Sequence, residues 1–532
     1  MSWNFADVWE TVADELPRAQ ALVAGSVRRS WRELDERADA LADALLQSGV
    51  SRQQAVGILL RNRPEYLETV YACFKAALTP FNTHIHFDAE QLADAWQRAG
   101  ATSVVFEADL GDAVRAALRR VPTVREVYCV ASPGTSCPQW ATPFDDVTAA
   151  TVNRVRPPWE RSGDDTLLIF TSGTTGTPKG VIWRQDDVFA ALNEASFTVK
   201  LPENGTVDDV RAALRENRSG AYAMPASPLT HSTALFVSMF ALSQGGSVVT
   251  VPSDSFDARS VVDVAANECV DTIAILGDAF ARQMLRALDA HPVDFSNVRA
   301  IISSGVMWSE ETKRGLLRHS PEMVLLDSYS SSEALGMASS QASGDTVPPT
   351  AVFTLSPHAR LIPSPLRTTD INIGLLAVTG RQPVGYLDDP AADEATFVEV
   401  DGQRYSVPGD YARLESDGSV TVLGRGPTAI PVGDTLVFRE VVEEAFKRHP
   451  VVIDALVVPL GDGSSDNQRI AAMVRPMPGE AVDSAELREH ARRHLATAEV
   501  PSLIVVDETE YRLTTGKPDY DAARVAADAM DT

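Results

Sequence analysis

Hydrophobic and polar positions along the first few hundred residues predict strands that are followed by helices. The run from 55 to 60 is apolar, as in a buried strand, and the stretch from 64 to 77 has the spacing of an amphipathic helix. A second unit follows, with a helix predicted over 89–99 and a strand over 103–106. Such alternation is typical of an α/β fold with largely parallel sheets.

A different region begins near residue 351, where prolines, threonines and short β-like runs extend to about residue 393. The alternation resumes after the turn at 424–427. The elements predicted beyond it are helices over 440–449 and 484–495 and strands over 455–459 and 470–474. The fold class is therefore α/β. A large N-terminal domain, residues 1–424, has mostly parallel sheets plus a small β-rich subdomain, and a small α+β C-terminal domain follows over residues 425–532.

The composition fits a soluble, multidomain globular enzyme. The chain has 532 residues, too many for one ordinary core, of which 44% are hydrophobic and 23% are charged. No apolar run approaches the roughly 18 residues that span a bilayer. The first 16 residues carry four acidic side chains, whereas a secretory signal starts basic and then becomes apolar. We expect a cytoplasmic protein without integral membrane association.

The charge balance narrows the range of partners. With 47 basic and 73 acidic residues, the formal net charge is −26. Such a surface repels phosphate backbones and anionic lipid, so nucleic acid is not an expected partner. A site for an anionic ligand must then be a local exception, built from backbone N–H groups and a few placed cations.

One loop supplies those components. The stretch Thr166–Arg184 reads TLLIFTSGTTGTPKGVIWR, an apolar strand that leads into hydroxyls and glycines and ends at a lysine. Hydroxyl donors, close backbone approach and one cation are the parts of a phosphate cradle. It is not a Walker loop, because Pro178 precedes Lys179 and Gly180 follows it. A generic loop of this composition is also a common surface turn.

The string resembles the signature of the adenylate-forming superfamily, which includes acyl-CoA synthetases, peptide-synthetase adenylation domains and firefly luciferases. The similarity covers the chain from about Thr11 to Asp519, and its motifs occur in the family order. These are SYSSSE at Ser328–Glu333, Ser304-Gly305, Gly409-Asp410, Gly424-Arg425 and Thr515-Gly516-Lys517. KGVIWR, GDAFAR and RYSVPGDYARLESDGSVTVLGRG resemble most the branch that handles long-chain and sterol-derived acids.

The resemblance implies ATP, Mg²⁺ and coenzyme A as ligands, and it assigns roles to individual residues. Glu333 would bind Mg²⁺, which favours carboxylate and phosphate oxygens. Asp410 would accept hydrogen bonds from the ribose, Arg425 would bind ribose or phosphate, and Tyr329 would stack on adenine. The implied ATP-binding residues are Thr171, Ser172, Thr174, Thr175, Lys179, Ser304, Gly305, Tyr329, Ser332, Asp410 and Arg425.

Two residues are the implied catalytic groups. Lys517 would bridge the substrate carboxylate and the α-phosphate, stabilising the charge that develops during adenylation. His231 occupies the position where the family has an aromatic residue or His beside the nascent adenylate. Each assignment has a structural alternative. Lys517 could be merely solvated, His231 a packing residue, Asp410 a turn residue and Arg425 a partner in an ion pair across the domain boundary.

Several positions depart from the family. The hinge position holds Pro427, whose φ is fixed near −65°, although the family's C-terminal domain is mobile and rotates between half-reactions. Asp434 replaces a glycine along the pantetheine tunnel, and Ser330 replaces a glycine on the adenine side, where it could crowd the nucleotide. Glu499 stands where a lysine is common. The charged adenylating set is thus intact, and the thioester-forming set is less so.

We therefore predict an ATP-dependent acyl-CoA ligase that converts a bulky hydrophobic carboxylic acid to an acyl-adenylate and then to a thioester with coenzyme A. One alternative is an enzyme of a single half-reaction, with a partner supplying the other. Another is a catalytically weak nucleotide- or acyl-binding protein. A homodimer stays an open possibility, and the sequence does not name the acid.

Overall fold

The structure is a computed structural model, and the residues that it describes fall into ten ranges. They are residues 2–171, 178–196, 199–217, 220–251, 255–363, 370–433, 435–461, 468–477, 479–512 and 518–531. Within those ranges every helix is too short or too polar to span a bilayer.

The helices lie mainly between strands, as the hydrophobic pattern predicts. In chain order they are α1 Phe5–Glu15, α2 Trp31–Gln47, α3 Pro64–Lys75, α4 Ala89–Arg98, α5 Gly111–Leu118, α6 Phe144–Thr148, α7 Gln185–Glu194, α8 Val207–Glu216, α9 Ser232–Ser243, α10 Ala258–Asn267, α11 Gly277–Ala290, α12 Glu310–His319, α13 Pro390–Thr396, α14 Arg439–Lys447, α15 Ser484–His494 and α16 Tyr520–Met530. Short 3₁₀ turns occur at Ala108–Leu110, Gly426–Thr428 and Thr497–Glu499.

The strands are short, and most of those in the first half of the chain are parallel. In chain order they are β1 Gln20–Ala24, β2 Val27–Ser30, β3 Ala55–Leu59, β4 Thr79–Asn82, β5 Ala101–Glu107, β6 Glu126–Val130, β7 Thr142–Pro143, β8 Thr166–Thr171, β9 Lys179–Arg184, β10 Tyr222–Pro225, β11 Ser247–Thr250, β12 Thr272–Ile275, β13 Ala300–Ser304, β14 Val324–Ser331, β15 Ala334–Ser343, β16 Val352–Leu355, β17 Ala359–Pro363, β18 Ile373–Val378, β19 Gly385–Tyr386, β20 Phe397–Val400, β21 Gln403–Ser406, β22 Asp410–Leu414, β23 Val420–Arg425, β24 Ile430–Val432, β25 Thr435–Val437, β26 Val452–Leu460, β27 Arg469–Pro476 and β28 Leu503–Val506.

The larger of two compact units comprises Met1–Thr350 and Thr379–Ser406. One of its sheets has the order β2-β1-β11-β10-β12-β13-β14-β15, with antiparallel pairing only at β1–β2 and β14–β15. The other has the order β19-β9-β8-β4-β3-β5-β6-β7, parallel except at the β8–β9 and β9–β19 pairs. Helices pack on these sheets, and buried Trp9, Trp31 and Trp183 anchor one of the hydrophobic cores.

The smaller unit comprises Ala351–Val378 and Val407–Thr532. It contains an antiparallel sheet in which β16, β23, β22, β18 and β17 are consecutive neighbours. It also contains the β24–β25 hairpin and a sheet of the order β26-β27-β28, with a core of its own beneath α14 and α15. The predicted fold class, a mixed α/β protein with a large N-terminal and a small C-terminal domain, is confirmed.

The compact units do not divide at residue 425. The β-rich segment Ala351–Val378 clusters with the C-terminal residues, because its strands pair with β22 and β23. The boundary between residues 424 and 425, which concerns domain movement, stays a prediction.

Candidate active site

Strand topology explains why distant motifs converge in the larger unit. Strands β10, β12, β13 and β14 are parallel neighbours, so their carboxyl ends lie along one edge of the sheet. The register pairs Ser304 with Ser328, which places the Ser304-Gly305 motif beside the start of SYSSSE. The loops at the carboxyl ends of such strands are where α/β proteins bind ligands.

The other sheet presents the predicted phosphate loop. Thr171 ends β8 and Lys179 begins β9, and the two residues are paired in the antiparallel register. The chain therefore leaves the sheet at Thr171 and re-enters it at Lys179, directly beside Thr171. The predicted loop residues Ser172, Thr174 and Thr175 lie outside the described residues.

A tyrosine joins the predicted phosphate lysine to the predicted metal ligand. The Lys179 Nζ lies 5.2 Å from the centroid of the Tyr386 ring and 3.5 Å from Asp389 Oδ2. The Tyr386 hydroxyl donates a hydrogen bond of 2.9 Å to Glu333 Oε1. Tyr386 reaches this point because β19 pairs with β9, two residues beyond Lys179. A cation and a carboxylate thus flank one nearly buried ring.

The backbone that carries Glu333 is fixed by three side chains. Trp183 Nε1 donates to the Ser332 carbonyl at 2.8 Å, and Ser406 Oγ donates to the Glu333 carbonyl at 2.6 Å. The Glu333 N–H donates to Ser331 Oγ at 3.2 Å. These bonds hold the backbone of the turn between β14 and β15. They use the Ser332 carbonyl and the Glu333 backbone, and the Glu333 carboxylate takes no part in them.

The donor set at Glu333 fits a magnesium ion. Its carboxylate accepts one hydrogen bond from a neutral phenol and has no ion pair among the described residues. Across the described part of the chain, no three His, Cys, Asp or Glu side chains form a metal cage. Mg²⁺ is commonly held by one or two carboxylates together with substrate phosphates, and a single half-buried glutamate meets that requirement.

His231 faces the Ser304-Gly305 loop. A side-chain carbon placed on Gly305, whose φ is +82°, would lie 3.4 Å from His231 Cε1. The Nδ1 of His231 accepts the Thr233 N–H at 3.3 Å and caps helix α9. Because Nδ1 is an acceptor here, the neutral ring carries its proton on Nε2. The structure therefore brings these two predicted site elements together.

Two asparagines that the sequence analysis did not identify hold the turn before His231. Asn82 donates to the Thr230 carbonyl at 2.6 Å and to the Phe170 carbonyl at 3.0 Å, and it accepts the Phe170 N–H at 2.7 Å. Asn62 donates to the Pro225 and Ser227 carbonyls, both at 2.8 Å. Asn82 thereby links the end of β8 to the His231 turn.

Ser330, which replaces a family glycine, is accommodated within the β14–β15 hairpin. Its hydroxyl lies 2.9 Å from Ser328 Oγ and accepts the Gly336 N–H at 2.9 Å. The pairing shifts between Tyr329 and Ser331, as in a β-bulge, and Tyr329 is half-buried. The hydroxyl of Ser330 is therefore engaged within the hairpin rather than unpaired beside Tyr329.

The smaller unit holds Asp410 and Arg425 together. Asp410 begins β22 and Arg425 ends β23, and the register pairs them directly. Arg425 Nε lies 3.4 Å from Asp410 Oδ1, and the Asp410 side chain is almost fully buried. Arg425 therefore forms an ion pair, but with the residue predicted to bind ribose.

The predicted hinge contacts helix α14. The Arg425 N–H and the Thr428 hydroxyl both donate to Glu440 Oε1 at 3.4 Å, on either side of Pro427. Burial raises the pKa of Glu440, and backbone N–H groups oppose that rise. Pro427 itself lies in the short 3₁₀ turn.

Three further residues complete the comparison with the sequence. Lys517 and Asp434 lie outside the described residues, so their roles stay predictions. Glu499 accepts the Ala496 N–H at 2.9 Å in the turn before β28.

The fold and these motifs belong to one protein family. Residues 9–362 match the model of the AMP-binding enzyme family, and residues 441–515 match the AMP-binding enzyme C-terminal domain. The chain belongs to this family, and the predicted membership of the adenylate-forming superfamily is confirmed.

Individual relatives are similar over nearly their full length. The 3-oxocholest-4-en-26-oate–CoA ligase of Rhodococcus rhodochrous is 34% identical, over 98% of this chain and 95% of the relative. A medium/long-chain-fatty-acid–CoA/3-oxocholest-4-en-26-oate–CoA ligase of Mycobacterium marinum is 31% identical, over 99% and 97%. The predicted enzyme class, an ATP-dependent acid–thiol ligase, is confirmed, and with it the use of ATP and coenzyme A.

Solved structures share the fold. The anthranilate CoA ligase AuaEII in complex with anthranoyl-AMP superposes with a TM-score of 0.85 at 16% identity, covering 100% of this chain and 98% of that one. At this identity the similarity establishes the fold alone.

Proposed function

We propose that the protein activates a bulky hydrophobic carboxylic acid, of the sterol-derived or long-chain type, in two half-reactions. The acid first displaces pyrophosphate from ATP to give an acyl-adenylate, and the thiol of coenzyme A then displaces AMP. The substrate class is supported by the sterol and fatty acids that the two similar ligases act on.

The arrangement of Lys179, Tyr386 and Glu333 is the observation that carries the proposal. Both reactants of adenylation are anions, so the main tasks are charge neutralisation and positioning. Lys179 would neutralise phosphate charge, and Glu333 would hold Mg²⁺, which would neutralise more. Tyr386 fixes the Glu333 carboxylate through its hydroxyl while its ring lies near the lysine.

The remaining roles follow the sequence predictions. Asp410, held by Arg425, would orient the ribose, since an ionised carboxylate is an acceptor for two hydroxyls. His231, a donor through Nε2 in its neutral form, would face the new acyl-phosphate bond. Lys517 would stabilise the charge that develops on the α-phosphate.

A pyrophosphate-release screen tests this function. Sterol-like, fatty, aromatic and terpenoid acids are supplied with ATP and Mg²⁺, each with and without coenzyme A. We expect release with a bulky hydrophobic acid and a thioester product when coenzyme A is present. Release without thioester would support the single-half-reaction alternative, which the family departures at Asp434 and Pro427 suggested. No release with any of these acids would contradict the proposed substrate class.

Lys517→Ala supplies the mechanistic test. We expect adenylation to fall by about 10²–10³, while thioester formation from supplied acyl-adenylate stays largely intact. The lysine serves only the step in which charge develops on the phosphate. Equal damage to both half-reactions would show that the assignment is wrong. A cytoplasmic location and a homodimer stay separate predictions.

A further inference from the structure

The loop that contains Ser304 and Gly305 is held by the first turn of helix α11, which begins the GDAFAR string and has no role assigned to it above. The loop runs over residues 304–309, from the end of β13 to the start of α12. The middle of the loop is exposed to solvent, since Val306 is 47% exposed. Gly305 beside it has a positive φ. The conformation of such a segment depends on what holds it from outside.

Asp278 contacts the far end of this loop at two atoms. Its Oδ1 accepts the Ser309 N–H at 3.1 Å and the Ser309 hydroxyl at 3.0 Å. Its own N–H donates to the Met307 carbonyl at 3.0 Å. Oδ2 accepts from Arg282 Nε at 2.9 Å, one turn along α11, which fixes the carboxylate plane.

Gly277 contacts the near end. Its N–H donates to Ser303 Oγ at 2.8 Å. Its backbone lies so close to the loop that an added side-chain carbon would clash with the Val306 and Met307 carbonyl oxygens, and its φ of +53° also disfavours other residues. Gly277 and Asp278 together, which we call the α11 clamp, therefore hold the loop from both sides.

Side-chain contacts also hold the residues beneath the loop. Ser309 is the N-cap of α12 and lies 2.8 Å from Thr312 Oγ1. Lys313 on the same helix forms a buried ion pair of 2.8 Å with Asp327, which pairs with Ser303 in the parallel register. The clamp thus ties the loop to α11, and the Lys313–Asp327 ion pair ties α12 to β14.

We propose that Asp278 is a positioning residue for nucleotide binding, acting through the 304–309 loop. The inference rests on the proposed function, because it requires the ATP-binding role that the family resemblance implies for Ser304 and Gly305. Gly305 also lies beside the His231 ring, so displacing the loop would change the space next to His231 as well as the proposed ATP site. A loop that is ordered in advance saves the entropy that ligand binding would otherwise spend.

The experiment compares Asp278→Ala, Asp278→Asn and Gly277→Ala in pyrophosphate exchange, with ATP varied at saturating acid. We expect Asp278→Ala to raise KM for ATP about tenfold with kcat within about threefold, because the loop must now be ordered on binding. Asp278→Asn keeps an Oδ1 acceptor for Ser309 and should stay within about threefold of the wild type. Gly277→Ala pushes on the same loop and should raise KM as well.

A matched control is Asp263→Ala, which removes an i,i+4 ion pair of 3.4 Å with Arg259 on the exposed face of α10. It should leave KM for ATP unchanged. The inference is overturned if Asp278→Ala lowers the melting temperature but leaves KM within twofold. It is also overturned if Asp278→Asn is as damaged as Asp278→Ala.

Calorimetric titration with AMP separates this inference from the proposed function. It needs no acid and no turnover. If the wild type binds AMP and Asp278→Ala weakens binding about tenfold, the clamp is supported even where the acid screen finds no substrate. Equal AMP affinity in the two proteins would contradict the clamp even in an active enzyme.

Discussion

At the scale of single residues, the Tyr386 hydroxyl is the polar contact that determines where the Glu333 carboxylate lies. The bond is 2.9 Å long, and its acceptor is the proposed metal ligand. A hydrogen bond to a charged group contributes about 1.5–3 kcal/mol. Removing it leaves the ring beside Lys179 in place, so the effect of the hydroxyl can be measured separately from that of packing.

We predict that Tyr386→Phe raises the Mg²⁺ concentration for half-maximal pyrophosphate exchange by about tenfold, because the Glu333 carboxylate loses its fixed orientation. The measurement is a magnesium titration at constant ATP. Tyr405→Phe is the matched control, since it removes a hydroxyl that donates to Gln403 Oε1, two residues away, at 3.1 Å. An unchanged magnesium requirement in Tyr386→Phe would remove the tyrosine from the metal site.

Asp410 is the second residue whose role is directly testable. We predict that Asp410→Ala raises KM for ATP about tenfold or more, because a ribose acceptor contributes to nucleotide binding as well as to orientation. The measurement is pyrophosphate exchange with varied ATP. Asp417→Ala alters the exposed turn of the same β22–β23 hairpin and should have no effect. If both variants keep the wild-type KM, Asp410 is a turn residue.

The sequence located residues that belong to contiguous motifs, and it missed residues that act from a distance. Lys179, Glu333 and Asp410 each stand in a recognisable string. Tyr386 lies 53 residues from Glu333, and Asn82 lies 148 from Thr230. In each pair the two residues lie in or near strands of different sheets of the larger unit, so the packing of one sheet near the other brings them together. One signal for Asn82 was available, since a polar residue that ends a buried parallel strand lies where such sheets bind ligands.

At the scale of elements, the hydrophobic pattern predicted helices and strands that are observed to within a few residues. The helix predicted over 484–495 is observed as Ser484–His494, and the strand over 55–60 as Ala55–Leu59. It did not predict how the β-rich segment groups, because β16 and β18 pair with strands about 40 to 70 residues later in the chain. Hydrophobic periodicity carries no information about such pairings.

Helix α14 contains a buried acid whose ionisation opposes folding. Glu443 is fully enclosed, and burial raises its pKa to about 7, although Lys447 and the Val457 N–H favour the charged form. The unfolded chain therefore loses this proton first, near pH 4.5. Stability from this group is full below that pH and is lost as the pH rises towards 7.

We predict that Glu443→Gln stabilises the protein at pH 8 by on the order of 2 kcal/mol and has little effect at pH 5. The amide keeps an acceptor for the Val457 N–H and carries no charge. The measurement is the melting temperature at the two pH values. Glu489→Gln, at an exposed position of α15, is the control and should change neither. A variant that is less stable at pH 8 would show that Glu443 is ionised at little cost.

At the scale of the whole molecule, the larger unit contains a buried network of one lysine and several carboxylates. The Lys75 Nζ is fully buried and lies 2.7 Å from Asp35, 2.9 Å from Asp39 and 3.2 Å from Glu10. Glu10 on α1 also accepts from Arg161 at 2.8 Å. The acidic first helix, whose charges spoke against a secretory signal, thus contributes a carboxylate to the interior.

Within this network, Glu10 makes the stability of the larger unit sensitive to acid. Burial opposes the charge on Glu10, but hydrogen bonds from Arg161 and the charges of Lys75 and Arg156 outweigh it and hold its pKa at about 2. In the unfolded chain the pKa returns to 4.5. Glu10 therefore contributes stability above pH 4.5 that is lost as the pH falls towards 2.

We predict that Glu10→Gln removes part of this acid sensitivity. Between pH 6 and pH 3.5 the wild type should lose on the order of 1 kcal/mol more unfolding free energy than the variant, which has no carboxylate to protonate. At pH 7 the variant should be the less stable protein, because Lys75 and Arg161 lose a charged partner that is shielded from water. Urea unfolding across that pH range gives both quantities. Glu15→Gln, on the same helix but paired at the surface with Arg215, should reproduce the wild-type pH dependence. If Glu10→Gln also follows the wild-type curve, the acid sensitivity lies in other carboxylates, and the α1 network acts through packing rather than through charge.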